Sequence, residues 1–157
     1  MCCGRPPCTC SAPTPTEKGE PRMEELMKFL AENPTFYFAT VEGYLPRVRP
    51  FGFAMEYNGR LYFAIGKHKA AYKQLLDNTN IEVCTANDKG EWVRVRGTVD
   101  FDNSEAAREK AFAVMPQLRD LYNEKTGNVL GMVYMDRISA EWFNMAGERK
   151  TLVCQGM

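Results

Sequence analysis

Hydrophobic and polar residues repeat with two different periods after residue 22. Large apolar residues recur every three to four positions over 23–30, and Pro34 follows soon after. This spacing predicts an amphipathic helix that ends before the proline. The same spacing predicts a second helix over 69–76. A third predicted helix begins after Asn103 or Ser104, both good N-cap residues, and ends near residue 115.

Alternation with a period of two, rich in aromatic and β-branched residues, predicts the strands. The strand signals cover residues 35–41, 47–55, 60–65, 81–86, 91–101, 129–135 and 137–144. Asn58-Gly59 is a strong hairpin signal between the second and third of these. Six or so antiparallel strands with interspersed helices are typical of a small β-barrel with helical cover, so the predicted fold class is α+β.

Residues 1–21 differ in composition from the rest of the chain. They contain five of the nine prolines and four of the six cysteines, namely Cys2, Cys3, Cys8 and Cys10. With so little apolar surface, this segment is predicted to be a flexible Cys/Pro-rich tail, followed by one domain over residues 22–157. The spacing C-C-x4-C-x-C differs from the paired C-x2-C of structural zinc sites, so no metal site is predicted, and a metal-binding tail stays an alternative.

Charge and composition argue against several functional classes. The 20 Lys and Arg residues balance the 20 Asp and Glu residues, so no basic field is present to attract nucleic acid. No apolar run approaches the roughly 20 residues of a membrane span, and we see no secretory signal, so we expect a cytoplasmic protein with no membrane partner. His68 is the single histidine, which argues against histidine-dependent hydrolases and catalytic zinc.

Three basic residues follow a glycine at the end of a predicted strand, in Gly66-Lys67-His68-Lys69. A glycine, the unpaired N–H groups of a helix start and positive charge together favour an anion, with phosphate first among the candidates. A solvated basic turn before a helix explains the same residues equally well. The two interpretations stay open at this point.

Two predicted strands each carry a pair of arginines on one face. Arg47 and Arg49 form one pair, and Arg94 and Arg96 form the other, with Trp92 on the same face. Arginine favours bidentate carboxylate or phosphate partners, so the second face offers a flat ligand both an aromatic surface and a cation. For any single arginine the solvent face of a strand is the simpler explanation, and Trp92 also fits ordinary barrel packing.

The order of these motifs resembles one known family. A helix and a strand are followed by P-R-V-R-P-F-G-F, an N-G hairpin, L-Y-F-A-I-G-K-H-K-A, a helix, a hairpin and W-V-R-V-R-G. The same order is found in the pyridoxamine 5′-phosphate oxidase-like FMN-binding split barrels, and the nitroimidazole-reductase-like branch is the most similar. The resemblance covers residues 23–153. It implies a six-stranded antiparallel split β-barrel with flanking helices, and a homodimer with FMN in clefts at the subunit interface.

The resemblance also implies which residues contact FMN. The strand along the flavin carries Arg49, Pro50 and Phe51, and the strand end that meets the cofactor carries Ala64 and Ile65. The loop that holds the 5′-phosphate carries Lys67, His68 and Lys69, and the strand that approaches the isoalloxazine ring carries Trp92 and Arg94. The chain departs from the family where the oxidases commonly have Ser-Arg-Lys, and it lacks their Arg-rich C-terminal segment, so synthesis of pyridoxal phosphate is not implied.

The resulting hypothesis is an FMN-dependent oxidoreductase that passes electrons from a donor such as NAD(P)H to a small-molecule acceptor. No catalytic residue is singled out. One alternative is a non-catalytic flavin carrier or sensor, and another is a metal-binding electron-transfer protein that uses the N-terminal cysteines. Haem or a deazaflavin in the same cleft is a further alternative, because related barrels share their architecture across cofactors.

Overall fold

The computed structural model describes residues 23–155. Within that range the elements are, in order, α1 (Met23–Glu32), β1 (Phe36–Glu42), β2 (Leu45–Phe51), β3 (Ala54–Tyr57), β4 (Arg60–Gly66), α2 (Ala70–Asp77), β5 (Asn80–Ala86), β6 (Trp92–Asp102), α3 (Glu105–Val114), α4 (Leu118–Leu121), β7 (Leu130–Phe143) and β8 (Arg149–Gln155). The three predicted helices are confirmed as α1, α2 and α3. Ser104 caps α3, because its hydroxyl accepts a hydrogen bond from the Ala107 N–H at 3.2 Å. The tail predicted for residues 1–21 lies outside the described residues.

The strands form one antiparallel sheet, in the order β2-β1-β5-β6-β7-β4-β3, with β8 paired to β7. β7 organises this sheet because it has two partners on one side. It pairs with β6 along one edge, and along its other edge it pairs first with β4 and then with β8. The predicted antiparallel α+β class is therefore confirmed.

The sheet curls until its two edge strands approach each other. β2 and β3 stand at opposite ends of the strand order, yet only Gly52 and Phe53 join them. Two linking residues limit the distance between the Cα atoms of Phe51 and Ala54 to about 11 Å. Inside the curl, the Phe63 ring of β4 lies 5.1 Å from the Phe38 ring of β1, although three strands separate β1 from β4 in the sheet.

The prediction of six strands is wrong, because residues 23–155 form eight. The stretch 47–55, predicted as one strand, is divided at Gly52, so that β2 pairs with β1 whereas β3 pairs with β4. In one continuous strand, Phe51 and Met55 would face the same side of the sheet. Because the strand is divided, Phe51 packs on the core inside the curl, whereas Met55 packs on a second cluster outside it. The signals over 129–135 and 137–144 belong to one strand, β7, and β8 was not predicted at all.

Helices cover the sheet on both sides. α1 contributes Met23, Leu26 and Leu30 to the core inside the curl. α3 contributes Ala107 and Ala111 to the second cluster, on the outside of β3, β4 and β7. No helix among residues 23–155 is long and apolar enough to cross a membrane.

Candidate functional site

The predicted anion-binding turn joins β4 to α2, and we call residues 66–69 the anion loop. β4 ends at Gly66, and α2 begins at Ala70 with Lys69 as its N-cap residue. Two backbone hydrogen bonds hold the loop, from the Lys67 N–H to the Val129 oxygen at 2.9 Å and from the Lys69 N–H to the Gly66 oxygen at 3.0 Å. The turn therefore places the basic residues at the start of α2, where backbone N–H groups lack intrahelical partners.

The lysines of the anion loop are exposed. Lys67 Nζ donates a hydrogen bond to Asn103 Oδ1 at 3.2 Å. In the part of the chain that the structure describes, no carboxylate lies within 4.0 Å of Lys67 or Lys69. Because residues 23–155 do not neutralise these charges, the loop has the positive potential that an oxyanion site requires.

Tyr122 covers the start of the anion loop. Its ring centroid lies 6.3 Å from that of His68. A Cβ at Gly66 would lie 2.9 Å from the Tyr122 hydroxyl and 2.7 Å from His68 Cε1, so this close packing requires glycine. Burial raises the pKa of Tyr122, and a hydrogen bond from the Gly66 backbone opposes that rise. Tyr122 therefore belongs to the site, although no sequence motif pointed to it.

Arg49 is engaged in a hydrogen-bond network between β1, β2 and α2. Its Nη1 donates to Thr40 Oγ1 and its Nη2 donates to Gln74 Oε1, both at 2.7 Å. The Thr40 hydroxyl donates to the same Gln74 oxygen at 2.5 Å, and Gln74 Nε2 donates to Glu42 Oε2 at 2.8 Å. Burial, followed by the charge of Arg47, lowers the pKa of Arg49. We call this group the α2 network, and it already uses both terminal nitrogens of the guanidinium.

Four other predicted contacts differ in how far their side chains can reach a ligand. Pro50 is exposed. Phe51 is half-buried and stacks on Phe38, with 4.6 Å between ring centroids. Ala64 is half-buried against the second cluster, whereas the Ile65 side chain is only 2% exposed and belongs to the core inside the curl. At Ile65, only backbone atoms can therefore meet a ligand.

Trp92 and Arg94 both contact the ring of Phe143, and we call these three residues the aromatic-cation patch. Trp92 stacks on Phe143, with 5.3 Å between ring centroids and 14° between ring planes. The Arg94 guanidinium carbon lies 5.0 Å from the Phe143 centroid, and Arg94 Nε lies 3.7 Å from Glu82 Oε1. Because Val93 between them is fully buried in the core, the patch lies on the outer face of the sheet.

The anion loop and the aromatic-cation patch stand at opposite ends of β7. Gly66 pairs with Leu130 at the beginning of this strand, and Trp92 pairs with Phe143 at its end. β7 has 14 residues, which at about 3.3 Å per residue extend over roughly 45 Å along the strand. In one chain the two groups of predicted residues therefore lie beside opposite ends of the same strand.

The described residues contain no arrangement typical of a metal site. Within residues 23–155, no group of three or more His, Cys, Asp or Glu side chains is placed to hold a metal ion. Burial raises the pKa of the Cys84 thiol, which makes Cys84 a weak nucleophile and metal ligand. The four cysteines of the N-terminal tail lie outside the described residues.

Comparisons with known proteins assign the family. The family model described as pyridoxamine 5′-phosphate oxidase matches residues 23–145. Among solved structures, a NimC/NimA family protein from Clostridium acetobutylicum is 34% identical with a TM-score of 0.77, and the alignment covers 83% of this chain and 91% of that chain. No curated protein matches the chain.

More distant structures share the fold alone. An FAD-binding protein from Mesorhizobium loti is 16% identical with a TM-score of 0.54, covering 82% of this chain and 93% of that chain. A heme binding protein from Mycobacterium smegmatis is 11% identical with a TM-score of 0.64, covering 87% of this chain and 60% of that chain. From the family match and the 34% identical structure, the chain belongs to the pyridoxamine 5′-phosphate oxidase family.

Proposed function

We propose that this protein is an FMN-dependent oxidoreductase that works as a homodimer, with each cofactor bound between the anion loop of one chain and the aromatic-cation patch of the other. The curled, unclosed sheet is then one split barrel of the pair. A bound flavin supplies the redox chemistry, taking electrons from a donor such as NAD(P)H and passing them to a small-molecule acceptor. The protein contributes binding, orientation and electrostatics.

The observation that carries this proposal is the separation of two surfaces that suit the two ends of FMN. The anion loop offers unneutralised charge to the phosphate, and the patch offers stacked rings and an exposed cation to the flat ring system. Since these surfaces stand at opposite ends of β7 in one chain, a cofactor that uses both must contact two chains. A two-fold dimer repeats the same pairing and forms two equal sites.

The residues present fit FMN at both ends. Lys67 and Lys69 would hold the phosphate with the N–H groups at the start of α2. Arg49 keeps its Nε–H for the cofactor, since only its terminal nitrogens hold the α2 network. Trp92 would lie against the ring system.

Exposed apolar residues support a partner on the outer face of the sheet. Pro50, Tyr37, Cys84 and Arg94 are successive register partners across four strands, so Pro50 belongs to the same surface as the aromatic-cation patch. Tyr37 is 52% exposed, and Val48 on the neighbouring strand is 67% exposed. Apolar side chains of this size on an outer sheet face are typical of a surface that another chain covers.

The first experiment is a visible absorption spectrum of the purified full chain, followed by mass identification of any released chromophore. The proposal expects flavin absorption and released FMN, or binding of added FMN by a colourless preparation. A haem spectrum, or a colourless protein that binds no FMN, would contradict it. Released FAD would support the flavin chemistry and show that the cofactor is FAD instead of FMN.

The contribution of the anion loop is tested by Lys69→Ala. Loss of a charge-assisted phosphate contact is expected to weaken FMN binding by about 1.5–3 kcal/mol, or roughly 10- to 150-fold in Kd. Lys73→Ala is the matched control, because Lys73 is an exposed lysine of the same helix. Equal dissociation constants for Lys69→Ala and Lys73→Ala would remove Lys69 from the site.

The shared site is tested by mixing two defective chains. Lys69→Ala and Trp92→Ala each damage both sites of their own homodimer. In a mixed dimer, one site carries both substitutions and the other carries neither, so co-expression of two differently tagged chains is expected to restore one tight FMN per purified mixed dimer. If both surfaces served one site within a single chain, every site of the mixed dimer would be damaged, and no tight binding would return.

A non-catalytic flavin carrier predicts the same binding but a different turnover. For an oxidoreductase, anaerobically reduced holoprotein is expected to be reoxidised faster by an acceptor than free reduced FMN is at equal concentration. Stopped-flow absorption measures both rates. Equal rates with every acceptor in a panel of quinones, nitroaromatics and oxygen would favour the carrier.

A further inference from the structure

A groove of about 530 Å³ crosses β5, β6, β7 and β8, where β6 and β7 lose their regular register. Arg96 and Thr98 of β6 line it together with Arg137 and Ser139 of β7. We propose that this groove binds a small molecule through an oxyanion, either a carboxylate or a phosphate, held between Arg96 and Arg137. No residue of the anion loop or of the aromatic-cation patch lines the groove.

Arg96 and Arg137 are diagonal neighbours on the outer face of the sheet. Arg96 pairs with Ser139, and Thr98, two residues further along β6, pairs with Arg137. Diagonal partners of an antiparallel pair lie about 7–8 Å apart. Over that distance two guanidinium groups can contact one oxyanion from two sides.

A bulge in β7 brings Arg137 to the outer face. Thr98 pairs with Arg137, whereas the next residue of β6 pairs with Met135, so Asp136 is an extra residue with no opposite partner. Met135 and Ile138 are both buried in the core, at 1% and 3% exposure. The two residues between them therefore point away from the core, and Arg137 is the exposed one.

Gly97 of β6 lets the bulge of β7 pack closely against it. A Cβ at Gly97 would lie 2.1 Å from the Arg137 carbonyl oxygen, far inside any contact distance. Only glycine at this position lets the Arg137 backbone approach so closely. The base of the Arg137 side chain is therefore fixed beside Arg96 by the backbone itself.

Two acidic residues lie close to the arginines, and both are paired elsewhere: Glu82 lines the groove as the register partner of Arg96, and Asp136 precedes Arg137. Asp136 and Glu82 each lie 3.7 Å from the Nε of an arginine outside the groove. Among residues 23–155, no carboxylate lies within 4.0 Å of Arg96 or Arg137. Because Glu82 is drawn to Arg94 and neither groove arginine has an ion pair in this range, the two neighbouring like charges favour an oxyanion between them.

The groove has room for more than the oxyanion. Its volume falls within the roughly 300–1,000 Å³ of small-molecule sites. Asn80, Thr98 and Ser139 add neutral hydrogen-bonding groups to its lining. A small organic acid or a phosphorylated small molecule with a polar body matches this combination of charge, size and donors.

The test is isothermal titration calorimetry of the full-length protein, as purified, with citrate and with inorganic phosphate at low ionic strength. We expect saturable binding of at least one probe. The double variant Arg96→Gln/Arg137→Gln is expected to weaken that binding at least tenfold. Arg108→Gln is the matched control, because Arg108 lies on α3 outside the groove and also has no carboxylate within 4.0 Å in the described range. This control is expected to bind like the unaltered protein.

A parallel titration of Lys69→Ala distinguishes the groove from the anion loop. Binding that persists in Lys69→Ala and weakens in the double arginine variant supports the groove, whatever the outcome for FMN. A preference for citrate or for phosphate then identifies the oxyanion. No binding up to millimolar concentration, loss in Lys69→Ala alone, or equal binding by a double variant with unchanged circular dichroism would overturn the proposal.

Discussion

Arg49 and Lys69 are both cations that the family resemblance assigns to FMN, but their surroundings differ. Arg49 donates to Thr40, to Gln74 and to the Phe38 carbonyl oxygen within the α2 network. Lys69 is exposed, and no acidic group in residues 23–155 lies within ion-pair distance of it. The contrast shows that residue type does not define a role. Arg49 holds the fold through its terminal nitrogens and has only its Nε–H left for a ligand, whereas the whole ammonium group of Lys69 is available to one.

The largest expected effect is on the α2 network. Gln74→Ala removes the acceptor shared by Arg49 and Thr40 and the donor to Glu42. Gln74 is only 7% exposed, so we expect the free energy of unfolding to fall by about 2–3 kcal/mol. Urea denaturation of the cofactor-free protein measures it. Lys73→Ala, on the exposed face of the same helix, is expected to change stability by less than about 0.5 kcal/mol.

The same network gives a stricter test through Arg49→Lys. If Arg49 and Gln74 act as one unit, the two substitutions together cost less than the sum of their separate effects, because the first already breaks the shared hydrogen bond. Strictly additive losses would show that the network is not cooperative. The contrast with Lys69 would then weaken.

An intermediate effect is expected at Tyr122. Tyr122→Phe removes a hydroxyl that packs against Gly66, 2.9 Å from where a Cβ would lie, and we expect the free energy of unfolding near pH 7 to fall by at most about 1 kcal/mol. Burial raises the pKa of Tyr122 in the folded chain, so the unfolded chain loses its tyrosine proton first as the pH rises. Stability is therefore fully present below about pH 10 and declines above it.

Thermal denaturation between pH 8 and pH 11 checks the tyrosine prediction. Burial also raises the pKa values of Tyr62 and Tyr72, so Tyr122→Phe is expected to remove only part of the alkaline decline. Tyr44→Phe is the control, since Tyr44 is fully exposed. Identical pH profiles for Tyr122→Phe and the unaltered protein would contradict the role given to Tyr122.

The smallest expected effect on stability is that of Lys69→Ala. Because Lys69 makes no side-chain capping bond and no ion pair in the described range, the cofactor-free variant is expected to unfold within about 0.5 kcal/mol of the unaltered protein. Chemical denaturation without added flavin measures this. A loss above 1 kcal/mol would place Lys69 with Arg49, as a residue of the fold.

Features that depend on neighbouring residues were predictable from the sequence. Ser104 caps α3 as expected. Asn58 and Gly59 form the predicted hairpin turn, with φ values of 52° and 71°, because these two residue types tolerate the left-handed conformation that the turn requires. The anion loop was likewise found from a glycine and adjacent basic residues. The homodimer, the cytoplasmic location and the tail stay predictions.

Other parts of the site could not be predicted, because their partners lie far away in the chain. The α2 network joins Arg49 to a glutamine on another element, and the packing of Tyr122 on Gly66 joins two distant loops. Hydrophobic periodicity carries no information on such pairs, since many polar residues fit the same position equally well.

The sequence by itself determined three of the four helices in residues 23–155, most strands, the antiparallel class and the basic turn, because periodicity, caps and turn residues act over a few residues. The tertiary structure decided that the stretch 47–55 divides at Gly52 and joins the two edges of the sheet. It also placed Trp92 and Lys69 at opposite ends of β7. The physical reason is that strand partners and sheet curvature depend on packing between distant segments, which one segment does not encode alone.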